Sequence, residues 1–335
     1  EGEALLTGKY DNNDVRIKVN AYRPEIKLDR SYEIETAVGG TIVVQDQLVG
    51  NITGARLNGE NIFSSFDDET NTITLDKAKL PTTAADMGAK DLIIDTDKAQ
   101  YVAESGVYTK ILRTADDILN WQNLAYAADD SKTYWGGYFV LGNDIDMAGK
   151  NFNGRFDYAS MHNTTDWTVL PEYAGLSYRN GNTGGFRGVF DGRGFNIDNL
   201  NMSKWNDSFA GQLAAGGTVK NISFTNVTLG GAASLISCGG IGTIENVYAH
   251  IKSVAAGNAG NSDVTGVFYG QDTMSGARLY NCFAVFDSAL SSSAGFTGLG
   301  AYHLGYGILN GVYGVGLDPS LAIKKISSVG GGDVY

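Results

Sequence analysis

Proline, cysteine and histidine are scarce in this chain, and each scarcity closes a class of explanation. Four prolines in 335 residues leave no polyproline linker, and the 45 glycines beside them suit repeated tight turns. Two cysteines, Cys238 and Cys282, make at most one bridge. Both sit among small and apolar residues and read as buried free thiols, so they do not fix a redox compartment. The three histidines, His162, His250 and His303, have no His or Cys partner at metal-ligand spacing and cannot build a Ser–His–Asp constellation. No metal or other cofactor is expected. Cations are outnumbered, with 25 Lys and Arg against 37 Asp and Glu for a formal charge of −12. Nucleic acid as a partner needs clustered Lys and Arg, and an anionic membrane surface repels such a chain. No apolar run approaches the ~18 residues of a membrane span, so no membrane insertion is expected. The opening "EGEALLTGKYDNND" has neither an initiator Met nor a signal-peptide core and reads as a mature or trimmed chain.

What is present divides into two grammars. Hydrophobic residues make up 43% of the chain, enough for a real core, and the length suits two domains. Residues 1–110 read as short alternating strands. Val15, Ile17, Val19 and Ala21 interleave with Arg16, Lys18 and Asn20, the period of two of a half-buried strand. Similar runs follow at "IKLDRSYEIETAV", "TIVVQ", "NTITLDK", "KDLIIDT" and "AQYVAESGVYTKIL", with turn chemistry at Gly39-Gly40 and Asn58-Gly59. This spacing suggests an antiparallel sandwich of immunoglobulin type, although no Cys–Trp–Cys framework accompanies it. Within residues 111–335 the first segment differs. Thr114 with Asp117 three residues on makes an N-cap and acidic capping-box partner. Ile118, Trp121, Leu124, Ala125 and Ala128 follow at helical steps, predicting a short capping helix over about 114–128.

Beyond residue 136 one phrase recurs: apolar, any, Asn, apolar, any, then apolar or small. It reads Ile197-x-Asn199-Leu200-x-Met202, Val219-x-Asn221-Ile222-x-Phe224, Ile244-x-Asn246-Val247-x-Ala249 and Leu279-x-Asn281-Cys282-x-Ala284. A degraded copy is Ile308-x-Asn310-Gly311, and an earlier relative surrounds Asn143. The spacing falls in the ~20–50-residue range of solenoids. Apolar residues share the parity of the Asn before it and take the opposite parity after it. A straight strand cannot keep both sets on one face. A bend at Asn, which tolerates the left-handed conformation, restores the match. Two short strands per rung would then meet at an Asn corner, and asparagines stacked rung on rung would bond as an amide ladder. The expected column is Asn199, Asn221, Asn246 and Asn281.

The stretch "TGGFRGVFDGRGFNIDNLNM" fits the same scheme. Phe186, Gly188 and Phe190 face inward on one strand, Asp191-Gly192-Arg193-Gly194 turns the chain, and Ile197 starts the next strand. Gly192 and Gly194 are expected at positive φ. No helix follows "GRG", which argues against a phosphate cradle. A leucine-rich repeat is the nearest competing solenoid, but the Asn falls inside the phrase and no helix follows each strand pair.

"YFVLGNDIDMAG", Trp167 followed by "TVLP", and "FRGVFDGRGFNIDNLNM" together resemble the repeat region of bacterial secreted β-helix proteins with GLUG-type or haemagglutinin-like repeats. The resemblance covers about residues 111–317 and is densest over 138–202. It implies an all-β protein whose second part is a right-handed parallel β-helix, exported and displayed at or near a bacterial surface. It implies no particular reaction, because this repeat is a scaffold for adhesins, binding modules and spacers.

Candidate chemistry is sparse. Glycoside hydrolysis generally needs two carboxylates flanking one bond; Asp144, Asp146 and Asp191 are the available candidates, and their other reading is turn and edge solubilisation. The segment 148–184 departs from the repeat pattern as a long aromatic-rich insertion, and loops of this length are commonly functional. Tyr158, Trp167, Tyr173 and Tyr178, joined by Trp205, are therefore the candidate ligand-binding residues, offering apolar stacking beside hydrogen-bonding side chains. The function expected is that of a non-catalytic, adhesin-like monomer binding a glycan or a host or matrix ligand. A polysaccharide lyase or hydrolase and a passive spacer stay open as alternatives.

Overall fold

The computed structural model describes residues 2–11, 13–21, 23–126, 128–129, 132–133, 136–152, 186–202, 208–230, 234–254, 267–273, 277–290, 299 and 308–317. Strands dominate them, and they contain one α-helix. The chain divides into two compact units: Glu1–Pro81 with Asp86–Tyr108, and Thr82–Ala85 with Thr109–Tyr335.

The first unit holds β1 (Gly2–Tyr10), β2 (Asn13–Ala21), β3 (Glu25–Glu35), β4 (Thr41–Val43), β5 (Ile52–Leu57), β6 (Glu60–Asn61), β7 (Phe63–Asp67), β8 (Thr72–Leu75), β9 (Gly88–Thr96) and β10 (Gln100–Tyr108). One sheet runs β3-β10-β9-β5-β6 and another β4-β8-β7. All pairings are antiparallel except β3 with β10, which is parallel. Alternation explains the core: Ile34, Ala55, Leu92, Ile94, Ala103 and Val107 of the larger sheet are buried, as are Ile42, Ile73 and Leu75 of the smaller. Asn58 and Gly59 both take positive φ, closing the tight β5–β6 hairpin. The hairpin β1–β2 pairs with neither sheet. One expectation is corrected: the run "AQYVAESGVYTKIL" is not one strand; it breaks at Thr109, and its two halves enter different sheets.

The second unit opens with β11 (Lys110–Leu112), α1 (Ala115–Tyr126), β12 (Ala128–Asp129), β13 (Lys132–Thr133), β14 (Tyr138–Leu141) and β15 (Ile145–Asp146). It continues with β16 (Val189–Asp191), β17 (Asn196–Asp198), β18 (Asn201–Met202), β19 (Gln212–Leu213), β20 (Thr218–Leu229), β21 (Ser237–Gly240), β22 (Thr243–Val254), β23 (Tyr269–Thr273), β24 (Arg278–Leu290) and β25 (Ile308–Leu317). The main sheet follows the order β11-β14-β16-β20-β22-β24-β25, and a second sheet runs β19-β21-β23. Both are parallel throughout; the small β12–β13 pair is antiparallel. Parallel neighbours need long returns, and the register keeps like above like. Phe139, Phe190, Val219, Ile244 and Leu279 are successive register partners, and each is fully buried.

The bends lie where parity reverses. In β20, Val219 is buried, then Ile222 and Phe224, then Val227 and Leu229. The two reversals fall at Asn221 (φ 52°) and Asn226 (φ 53°). Register places Asn221 beside Asn246 and Asn246 beside Asn281. Asn246 Nδ2 donates to Asn221 Oδ1 at 2.9 Å, and Asn281 Nδ2 to Asn246 Oδ1 at 3.1 Å. Asn246 thus donates to the rung before it and accepts from the rung after it. Gly311 (φ 66°) occupies the following rung, where a Cβ would lie 2.9 Å from Asn281 Oδ1. The last copy of the phrase is therefore centred on Gly311 and not on Asn310.

Asn199 does not join this column. Ile197 pairs with Phe224 and Met202 with Leu229, which sets Asn199 (φ 55°) opposite Asn226 at a second bend. Its true partner is Phe224-x-Asn226-Val227-x-Leu229, a copy of the same phrase. The "GRG" turn needs a smaller correction. Positive φ falls on Arg193 (54°) and Gly194 (85°). Gly192 is required by close approach instead, since a Cβ there would lie 2.5 Å from Ile222 Cβ and 2.6 Å from Asn221 O.

Helix α1 starts as its capping box dictates. Asp117 N–H donates to Thr114 Oγ1 at 3.1 Å, and Thr114 N–H donates to Asp117 Oδ2 at 3.0 Å. Burial raises the Asp117 pKa, but donation from Arg113 N–H and Thr114 outweighs it and leaves the carboxyl below its ordinary value. Trp121 is buried with Phe139, Phe186, Phe190 and Phe209 around it, ring centroids 5.0–5.5 Å away. The helix is thereby anchored on the inward side chains of the first strands. Gln122 Nε2 donates to Ser208 O at 2.9 Å and to Phe209 O at 2.5 Å.

Candidate functional site

The aromatic candidates Tyr158, Trp167, Tyr173, Tyr178 and Trp205 lie outside the described residues. The carboxylate candidates are all placed, and each holds a bend. Asp144 Oδ1 accepts from Asn196 N–H at 2.8 Å. Asp146 Oδ1 accepts from Ala148 N–H and from Asn199 Nδ2, both at 2.8 Å. Asp191, 8% exposed, accepts from Arg193 N–H at 2.9 Å and Asn221 Nδ2 at 3.1 Å through Oδ1. Its Oδ2 meets the Tyr138 hydroxyl at 3.2 Å and Lys220 Nζ at 3.5 Å. It thereby begins the column that Asn221, Asn246 and Asn281 continue. Asp198, opposite Asp146 in register, is engaged in the same way by Thr225 Oγ1 at 2.6 Å and Asn226 Nδ2 at 2.8 Å. Those donors hold its carboxyl below the ordinary carboxylate value against the opposing effect of burial. These oxygens fasten bends.

A different set of side chains is brought together on the outward face. Two residues beyond each bend stand Tyr248, Phe283 and Tyr313, register partners in β22, β24 and β25. Tyr248 and Phe283 have centroids 6.1 Å apart and planes within 12° of parallel; Phe283 and Tyr313 are 6.2 Å apart with planes turned by 48°. Tyr248 is 38% and Tyr313 39% exposed, so an aromatic column faces water. Ser223 continues it on β20 and Asn196 on β17. Alongside, in the next outward positions, run His250, Val285 and Val315, with Val315 53% exposed. His250 Nε2 lies 2.6 Å from Asp287 Oδ1. On the other flank stand the exposed amides of Asn246 and Asn281. Three aromatic side chains in a row, edged by amides, hydroxyls and an imidazole–carboxylate pair, form a surface suited to stacking and hydrogen bonding together.

Sequence reading passed over this column because its aromatics occupy the unrestricted position of the repeated phrase. The available signal was "NVY", "NCF" and "GVY", an aromatic two residues after the bend in three successive rungs. Among the described residues no group of three or more His, Cys, Asp or Glu is placed to hold a metal ion, and no helix is long and apolar enough to cross a membrane. Cys282 is free and buried, and burial pushes its thiol up to about 12, which leaves it unreactive. The Cys238 side chain lies outside the described residues. No family model, curated protein or solved structure matches the chain.

Proposed function

We propose that this is a secreted or surface-displayed bacterial protein that binds glycans without catalysing a reaction. In this reading the second unit is a right-handed parallel β-helix of the GLUG-type or haemagglutinin-like class, and the five- and three-stranded sheets of the first unit form an immunoglobulin-like sandwich. In-register parallel strands, stacked asparagine bends and the capping helix support the first assignment. The two sheets, with first strand parallel to last and antiparallel pairing elsewhere, support the second.

The observation that carries the function is the exposed column Tyr248–Phe283–Tyr313 between amide and imidazole flanks. Aromatic rings left in water cost solvation unless something covers them, and sugars pair apolar C–H faces with hydroxyls that such flanks can meet. The carboxylates Asp144, Asp146 and Asp191 are committed to bends, which favours binding over hydrolysis. The test is calorimetric titration of a glycan panel against wild type and a Tyr248→Ala/Tyr313→Ala double variant. Binding by wild type that the variant loses is the expected result; no binding to any glycan, or equal binding by both, overturns the reading.

A further inference from the structure

Resting on that reading, we infer that the ligand is an unbranched, uncharged polysaccharide lying along the aromatic column, across the strands, with one sugar ring over each aromatic. Three observations point to it. The first is spacing. Parallel strands lie about 4.8 Å apart, and the three rings follow one another at 6.1 and 6.2 Å. The advance per unit along an extended 1,4-linked sugar chain is comparable with this spacing, so successive units can meet successive aromatics. A terminal or branching sugar would use one ring and leave the others bare.

The second is charge. The column and its flank consist of Tyr248, Phe283, Tyr313, His250, Val285 and Val315, with no Lys or Arg among them. Beside them, Asp287 is already paired with His250. Lys252 follows Ile251, the register partner of Phe286, and so stands level with Asp287. The face thus sets one exposed lysine, Lys252, against one carboxylate, Asp287, and offers no cluster of cations to a uronate, sialate or sulfate, while a chain of formal charge −12 repels polyanions at longer range.

Polar capacity is the third. The exposed amides of Asn246 and Asn281 flank the Tyr248 and Phe283 rungs, and at the Tyr313 rung Gly311 leaves the last amide without another above it. Amides both donate and accept, which matches hydroxyl groups.

The experiment uses the whole protein and four probe sets: linear β-1,4-linked oligomers of glucose and of N-acetylglucosamine, one to six units long; linear uronate oligomers of equal length; and a branched neutral mannan. Affinity for a linear neutral series is expected to climb about fivefold with each unit up to three and then level off. Tyr313→Ala is expected to abolish the gain from the third unit while Tyr313→Phe keeps it. Thermal melts of both variants establish that they remain folded. A monosaccharide that binds as tightly as the trimer overturns the inference while leaving glycan binding intact. So does stronger binding of the uronate or mannan, or an unchanged length profile in Tyr313→Ala. Failure of every probe to bind overturns the proposed function itself.

Discussion

Both units use asparagine at φ near +50°, but for opposite purposes. In the first unit Asn58 sits at a hairpin tip, where positive φ reverses the chain and brings neighbouring strands together antiparallel. In the second, Asn221, Asn226 and Asn246 lie inside strands, and the same conformation turns the chain while it continues in one direction. The difference lies in what satisfies the side chain. Asn58 Oδ1 accepts from Asp91 N–H of the adjacent β-strand at 3.2 Å, whereas Asn246 is bonded to asparagines on both sides. The hairpin Asn is a local device. The bend Asn is one member of a stack that has meaning only when the neighbouring rungs are present.

That contrast can be broken most severely at the helix. Trp121→Ala removes the ring around which four phenylalanines pack and is expected to cost about 3–5 kcal/mol. Calorimetry is expected to show the loss in the transition of the second unit, with the first unit's transition unmoved. Trp121→Phe is expected to cost only about 1–2 kcal/mol, because the indole Nε1 is buried without a partner and no hydrogen bond is lost.

Comparing the two kinds of asparagine comes next in size. Asn246→Ala combines left-handed strain of about 1–2 kcal/mol with two lost amide bonds of about 1 kcal/mol each. Chemical denaturation is expected to report about 3–4 kcal/mol. Asn58→Ala carries the same strain with one lost bond, about 2–3 kcal/mol. Replacement of either by Gly removes the strain, so only the amide part remains, and it is larger at 246.

A smaller effect is expected from acid. The folded Asp198 and Asp117 carboxyls lie below their ordinary value. Their contribution is therefore complete above the ordinary carboxylate range and is lost as pH falls through it towards the folded values. Melting temperature against pH is expected to fall on the acid side, and Asp198→Asn should flatten that fall while lowering the plateau. The smallest stability effect belongs to the surface: Tyr248→Ala is expected to shift stability by no more than about 0.5 kcal/mol. Its consequence is confined to ligand binding.

Much of this was legible in the residues themselves. The parity reversal at Asn221, Asn246 and Asn281 required a bend, and the capping box at Thr114 and Asp117 set the start of the helix. Asn199 was misplaced because two copies of one phrase, centred on Asn221 and Asn226, lie within the single strand Thr218–Leu229. A repeated phrase identifies bends, but only pairing register decides which bends stack. The aromatic column was hidden for a related reason: periodicity marks inward residues, while outward ones vary freely and acquire meaning only beside their neighbours in the next rungs.

The most direct test of the stacked bends is a double-mutant cycle by equilibrium unfolding on Asn221→Gly and Asn246→Gly, with Asn199→Gly and Asn246→Gly as the control. Glycine keeps the bend and removes only the amide. Stacking predicts a coupling of about 1 kcal/mol for the first pair and none for the second. Additive effects at 221 and 246, or equal coupling in both cycles, would contradict the column from which the aromatic face takes its alignment.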